Sequence, residues 1–131
     1  MTPTQGAATA RPARLTAHEL FDAVLDRGSF TSWDSPVTRP DDLTDEYRAE
    51  IKAAEEKSGV DESILTGAGT IRGLRVAVVA NEFRFLAGSI GIAAADRLDN
   101  AIRRATAEGL PLLATTASGG TRMQEGTAAF V

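Results

Sequence analysis

Leu74-Arg75-Val76-Ala77-Val78-Val79-Ala80-Asn81-Glu82-Phe83-Arg84-Phe85-Leu86-Ala87-Gly88-Ser89-Ile90-Gly91 decides the fold. Val76 to Ala80 is an unbroken apolar run, which marks a strand covered on both faces and so placed at the centre of a sheet. A glycine-bearing turn, Ala87 to Gly91, follows it. Next comes a helix over 92–108, with Ala95, Leu98, Ile102 and Ala105 as its inner face, Asp99 and Arg103 spaced to pair outside, and Gly109 as its stop. The order then repeats. Leu110 to Ala117 reads as a short apolar strand, Ser118-Gly119-Gly120 as a second turn, and Arg122 as the start of another helix. Strand, turn and helix in tandem build parallel strands with right-handed crossovers, and both turns then lie at the carboxyl edge of one sheet, where ligands bind.

Upstream, Ser63 to Ile71 is a strand joined to Leu74 to Phe83 by Arg72-Gly73, a two-residue hairpin link with glycine where a positive φ is needed. Over 44–57, Tyr47, Ile51 and Ala54 share one face of a solvated helix that Gly59 caps. Ser29 to Pro40 reads as an irregular connection. Thr16 to Glu19 has the capping-box form and opens a first helix over 17–26. Residues 1–15, rich in Ala, Thr and Pro, are expected to be a disordered tail, leaving 16–131 as one domain or part of one. Thr127 to Val131 is mostly apolar and has no helix cap, so the fold is expected to be truncated there.

The composition agrees with an α/β class. Of 131 residues, 43% are hydrophobic and only 5% aromatic, a core of Ala, Val, Ile and Leu typical of helices on a buried sheet. The net charge of −4 provides no field to attract nucleic acid. With no cysteine and the single histidine His18, neither a thiolate metal site nor a disulfide is expected. No apolar stretch marks a signal peptide or membrane span, which points to a cytoplasmic protein.

Two glycine turns, each after a buried strand and before a helix, can each aim a backbone N–H outward. Two such donors on one point make an oxyanion hole, suited to a thioester enolate. The competing reading is that these are simply tight turns.

Residues 83–91, Phe-Arg-Phe-Leu-Ala-Gly-Ser-Ile-Gly, and 117–126, Ala-Ser-Gly-Gly-Thr-Arg-Met-Gln-Glu-Gly, are similar to two signatures of the β-type carboxyltransferase domain of acetyl-CoA carboxylase. The stretch from Gly59 to Gly69 and Leu110-Pro111-Leu112-Leu113 resemble that domain as well. The resemblance implies a crotonase-like (ClpP/crotonase) fold of stacked ββα units, incomplete at the carboxyl end. It also implies transfer of carboxylate from carboxybiotin to acetyl-CoA to give malonyl-CoA, as in fatty acid biosynthesis. Carried over by position, the oxyanion donors are the N–H of Ala87 or Gly88 and that of Gly119 or Gly120, and replacing Gly120 by proline is expected to remove one. No metal and no covalently bound cofactor are implied. The implied partners are a biotin carboxyl carrier domain and an α-type carboxyltransferase half, in an oligomer at full length.

The sequence departs from the family pattern in two places. Ala87-Gly88 stands where two glycines are usual, and the donor survives if the φ of Ala87 stays negative. The cysteine cluster that bacterial β subunits commonly carry is absent. Arg122, at a helix start, is a candidate for a CoA phosphate, with a structurally paired arginine as the alternative. Gln124 and Glu125 are candidates to brace the second turn. Trp33 and Phe30 suit either the CoA nucleotide or a loop anchor. Rival functions are a malonate decarboxylase or propionyl-CoA carboxylase subunit, a non-catalytic remnant, and a serine hydrolase using Ser89 in a near G-x-S-x-G elbow whose histidine is missing.

Overall fold

The computed structural model describes residues 14–131, so the expected tail lies outside the described residues up to residue 13. Three helices, α1 (Ala17–Val24), α2 (Asp45–Ser58) and α3 (Ile92–Glu108), pack with four strands, β1 (Thr31–Ser32), β2 (Ile64–Ile71), β3 (Leu74–Asn81) and β4 (Leu112–Thr115). The sheet order is β1-β2-β3-β4. The β2–β3 pair is an antiparallel hairpin, with Arg72 at φ 51° and Gly73 at φ 80° in its link. The β3–β4 pair is parallel, Ala77 opposite Leu112, with α3 as the crossover.

Both faces of β3 are covered, as its apolar run requires. Val78 and Ala80 join Ala17, Phe21, Leu25 and Leu65 beneath α1. Val79 joins Ile64, Ala94 and Ala101 beneath α3. A third cluster, Tyr47, Ile51, Ala54 and Phe85, ties α2 to the segment just after β3. Fully burying each such valine or isoleucine is worth about 1.5–3 kcal/mol, so this strand is the energetic centre of the sheet.

The helix ends follow their caps. Thr16 Oγ1 accepts from the N–H of Glu19 at 3.1 Å, and Glu19 Oε1 accepts from the N–H of Thr16 at 2.8 Å. Thr44 caps α2, and Gly59 ends it in the left-handed region.

Three expectations are corrected. The inner face of α3 is Ala94, Arg97, Ala101 and Ala105, and Ile102 is exposed. The face is rotated because the buried Arg97 is pulled inward by Asp61 and by the carbonyls of Ile64 and Ser35. Asp99 and Arg103 do pair outside, at 2.9 Å. Second, the connection after α1 contains β1, which pairs antiparallel with β2. Third, no α-helix starts at Arg122; that segment is a series of turns ending in a 3-10 turn, Ala128–Phe130, because the Arg122 side chain is directed inward.

Candidate active site

The chain leaves β3 through a 3-10 turn, Leu86–Gly88, and leaves β4 through the segment around Ser118 to Gly120. Parallel pairing of β3 and β4 places both at one sheet edge, and they touch. The N–H of Gly119 donates to Ala87 O at 2.8 Å. Ile90 and Thr121 form a parallel bridge, with Ile90 N–H to Gly120 O at 2.8 Å and Arg122 N–H to Ile90 O at 3.0 Å. Gly88 is packed so closely on the Ala117 carbonyl, at φ 68°, that a side chain there would collide with backbone. Asn81, the last residue of β3, bridges the turns from below: its amide donates to Gly88 O at 3.2 Å and accepts from the N–H of Ala117 at 3.3 Å.

The four expected donors are not equivalent. The buried Gly88 N–H is consumed by Phe85 O at 2.9 Å, and the Gly119 N–H by Ala87 O. The Gly120 N–H donates to the exposed Ser118 Oγ at 2.9 Å, a rotatable hydroxyl that a ligand oxygen can replace. The Ala87 N–H, on an exposed residue, meets no acceptor among the described residues. Ala87 does not meet the condition of negative φ, since Leu86 lies at φ 47° and Ala87 at φ 54°, both left-handed, yet its N–H is kept as a donor. This turn runs three residues in the left-handed region, ending with Gly88.

Behind the turns lies a buried charge network. Arg122 and Glu62 have no exposed surface and form a two-pronged ion pair. Arg39 adds a second cation on Glu62 at 3.2 Å. Arg122 also donates to Ser89 O at 2.8 Å, to Ser89 Oγ at 3.2 Å and to Tyr47 Oη at 3.3 Å. Glu125 accepts from the Tyr47 hydroxyl, from Arg122 at 3.2 Å and, through Oε1, from the N–H of Ile92 at 2.7 Å, where it caps α3. Burial opposes the charges, yet the Arg122 hydrogen bond and charge hold the Glu62 carboxyl below its ordinary value. Arg122 is likewise raised: burial disfavours its charge, and Glu62 outweighs that. Burial, then the Glu125 hydrogen bond, pushes the Tyr47 hydroxyl up to about 12.

Arg122 is thus corrected as a candidate for a CoA phosphate. Its guanidinium faces the interior and its donors are engaged there. Glu125 is the brace the sequence suggested, and Gln124 reaches Glu50 on α2. Phe30 stacks on Phe21 at 4.7 Å, and Arg104 covers the Trp33 ring at 4.4 Å, so both aromatics anchor the loop. Ser89 Oγ faces the Arg122 cation and has no base beside it among the described residues, so nothing there supplies the activation a serine nucleophile requires. Asn81 and Glu62 escaped sequence reading, and Tyr47 was legible there only as a residue on the inner face of its helix. A polar residue at the end of an apolar strand was the only signal for Asn81, and the partner of Glu62 lies sixty residues away. A cleft of about 740 Å³ between the loop after β1, α2 and α3 adjoins the network through Tyr47, Ile92 and Glu125.

Residues 10–131 match the carboxyl transferase domain family. A probable biotin-dependent acyl-coenzyme A carboxylase beta3 subunit of Mycobacterium bovis is 59% identical over 120 residues, 91% of this chain and 24% of the relative. An acetyl-coenzyme A carboxylase carboxyl transferase subunit beta of Rubrobacter xylanophilus is 41% identical over 113 residues, 86% of this chain and 44% of that one. The crystal structure of transcarboxylase 12S with hydrolysed methylmalonyl-coenzyme A bound superposes with a TM-score of 0.72 at 27% identity, over 89% of this chain and 21% of that one. The fold is therefore a mixed α/β fold of the crotonase-like carboxyltransferase class. The chain belongs to the carboxyl transferase domain family, and it spans about a quarter of the length of the mycobacterial relative.

Proposed function

We propose that this chain supplies the acyl-CoA side of the carboxyltransferase component of an acetyl-CoA carboxylase. In this reading its two turns hold the thioester oxygen while carboxylate passes from carboxybiotin to the α-carbon, giving malonyl-CoA. The observation that carries it is the Ala87 N–H, which has no acceptor among the described residues and lies on a strained, exposed turn that is bonded directly to the second turn. A backbone held in the left-handed region at two non-glycine residues costs free energy, and such strain recurs where geometry serves a ligand. The second donor is Gly120, once its bond to Ser118 Oγ gives way to the substrate oxygen. As the bond between biotin and its carboxyl group breaks, the freed biotin nitrogen takes the α-proton; the enolate charge collects on the thioester oxygen, where these two N–H groups stabilise it, and the α-carbon bonds to the released carboxyl carbon. Carboxybiotin, brought by a carrier domain, supplies the electrophilic carboxyl carbon. No residue of this chain is assigned to hold it.

The mycobacterial relative's name specifies an acyl-CoA without its acyl group, so propionyl-CoA is the second substrate to be tested. Gly120→Pro would disrupt the turn as well as remove its N–H, because Gly120 sits at φ 95° and proline cannot leave φ near −65°. The cleaner probe is lactic acid in place of Ala87, an ester that deletes the N–H and keeps the methyl group. In the intact protein with its carboxybiotin donor, this change should slow carboxylation of acetyl-CoA about a hundredfold to a thousandfold. An unchanged rate would refute the oxyanion role, and absence of transfer to either acyl-CoA by the unmodified protein would favour the non-catalytic reading.

A further inference from the structure

We infer that Tyr47 and Glu125 are positioning residues for the carboxyl-transfer site, setting the spacing between the two turns; this rests on the reading that those turns receive the thioester oxygen. Two donors can share one oxygen only if their separation is held within a fraction of an ångström. Backbone bonds already join the turns, Gly119 N–H to Ala87 O and the Ile90–Gly120 and Arg122–Ile90 pair beside it, with Asn81 on both, but the first joins two exposed residues and competes with water.

The restraint lies behind them, in the buried network. Arg122 ends the second turn and binds both the carbonyl and the hydroxyl of Ser89, the residue that ends the first. Glu125 continues from the second turn and caps Ile92, where α3 begins immediately after the first. Tyr47 touches both Arg122 and Glu125 from α2, an element that belongs to neither turn. Its ring is fixed independently, in the cluster with Ile51, Ala54 and Phe85. Moving one turn past the other therefore breaks several charge-assisted bonds in a buried site, a cost added to that of the backbone bonds between the turns. Burial, then the Glu125 hydrogen bond, keeps the Tyr47 hydroxyl protonated at neutral pH, so it stays a donor to Glu125.

The test uses Tyr47→Phe, which keeps the ring in its cluster and removes only the hydroxyl, in the intact protein with its carboxybiotin donor. Hydrogen exchange of the peptide spanning 116–121 reports the Gly119–Ala87 link directly. Exchange there should quicken about fivefold or more, while kcat falls roughly tenfold, KM for acyl-CoA stays within about twofold, and the pH–rate profile keeps its shape. Glu125→Gln, which retains an acceptor for the Ile92 N–H, should show the same pattern and serves as the reporter if Tyr47→Phe folds poorly. Unchanged exchange in a folded variant overturns the clamp itself. Faster exchange with unchanged kcat overturns instead the reading that the turns bind the reacting oxygen. Loss of one limb of the pH profile would make Tyr47 a proton-transfer group and overturn the positioning role.

Discussion

At the scale of single residues, the first turn concentrates the conformational cost of the site. Leu86 and Ala87 are both left-handed, and a side chain in that region costs about 1–2 kcal/mol relative to glycine. The cost is borne because Gly88 must pack on the Ala117 carbonyl and because Gly119 holds Ala87 O. Glycine at position 87 removes the strain but adds freedom to the unfolded chain worth about 0.4–1 kcal/mol, so relief exceeds penalty. Ala87→Gly should therefore raise the stability of the fold by about 0.5–1 kcal/mol, read as a higher midpoint of urea unfolding at unchanged slope. A lower midpoint would mean that the alanine methyl makes a contact worth more than the strain.

Between elements, α1 is tied to the β2–β3 hairpin by one carboxylate. Asp26, just past the helix, accepts from the Thr70 hydroxyl at 2.6 Å and from the N–H groups of Gly73 and Arg72 at 2.8 and 2.9 Å. The Thr70 bond first, and then those two N–H groups, hold its pKa below the ordinary 3.8. A depressed folded-state pKa contributes stability that is fully present above the unfolded value and disappears as pH falls through the folded one. Asp26→Asn should accordingly be less stable than the wild type above about pH 4, and the gap should narrow steadily below it as Asp26 itself takes up a proton. Thermal unfolding at several pH values measures this, and a gap that does not change with pH would show that the carboxylate charge is not what the hairpin uses.

On the scale of the whole molecule, β2 and the later half of β3 are well covered, whereas β4 is an apolar edge strand. Leu112 and Leu113 on this edge strand are 36% and 42% exposed, and Met123 and Phe130 nearby in sequence are 89% and 59% exposed. A strand edge with apolar side chains pairs readily with another chain. Residues 1–131 alone should therefore form dimers or larger species at micromolar concentration in sedimentation analysis, and Leu113→Lys should shift them toward monomer. A monomeric wild type would show that this edge is protected by means other than partners.

The sequence alone determined the sheet-centre strand, the hairpin link, the helix caps and the meeting of the two turns. Each of these follows from local rules: an unbroken apolar run, a glycine at a positive φ, a threonine three residues before a glutamate, and the handedness of the crossover through α3. Only the tertiary structure decided which N–H groups are open, because Gly88, Gly119 and Gly120 lose theirs to acceptors set by backbone approach rather than by residue type. Only the tertiary structure, likewise, turned Arg122 inward to Glu62 and rotated α3 to bury Arg97. A buried cation needs a counter-charge, and the counter-charges here lie thirty to sixty residues away in the chain. Such partners are chosen by packing in three dimensions, which no periodicity along the chain encodes.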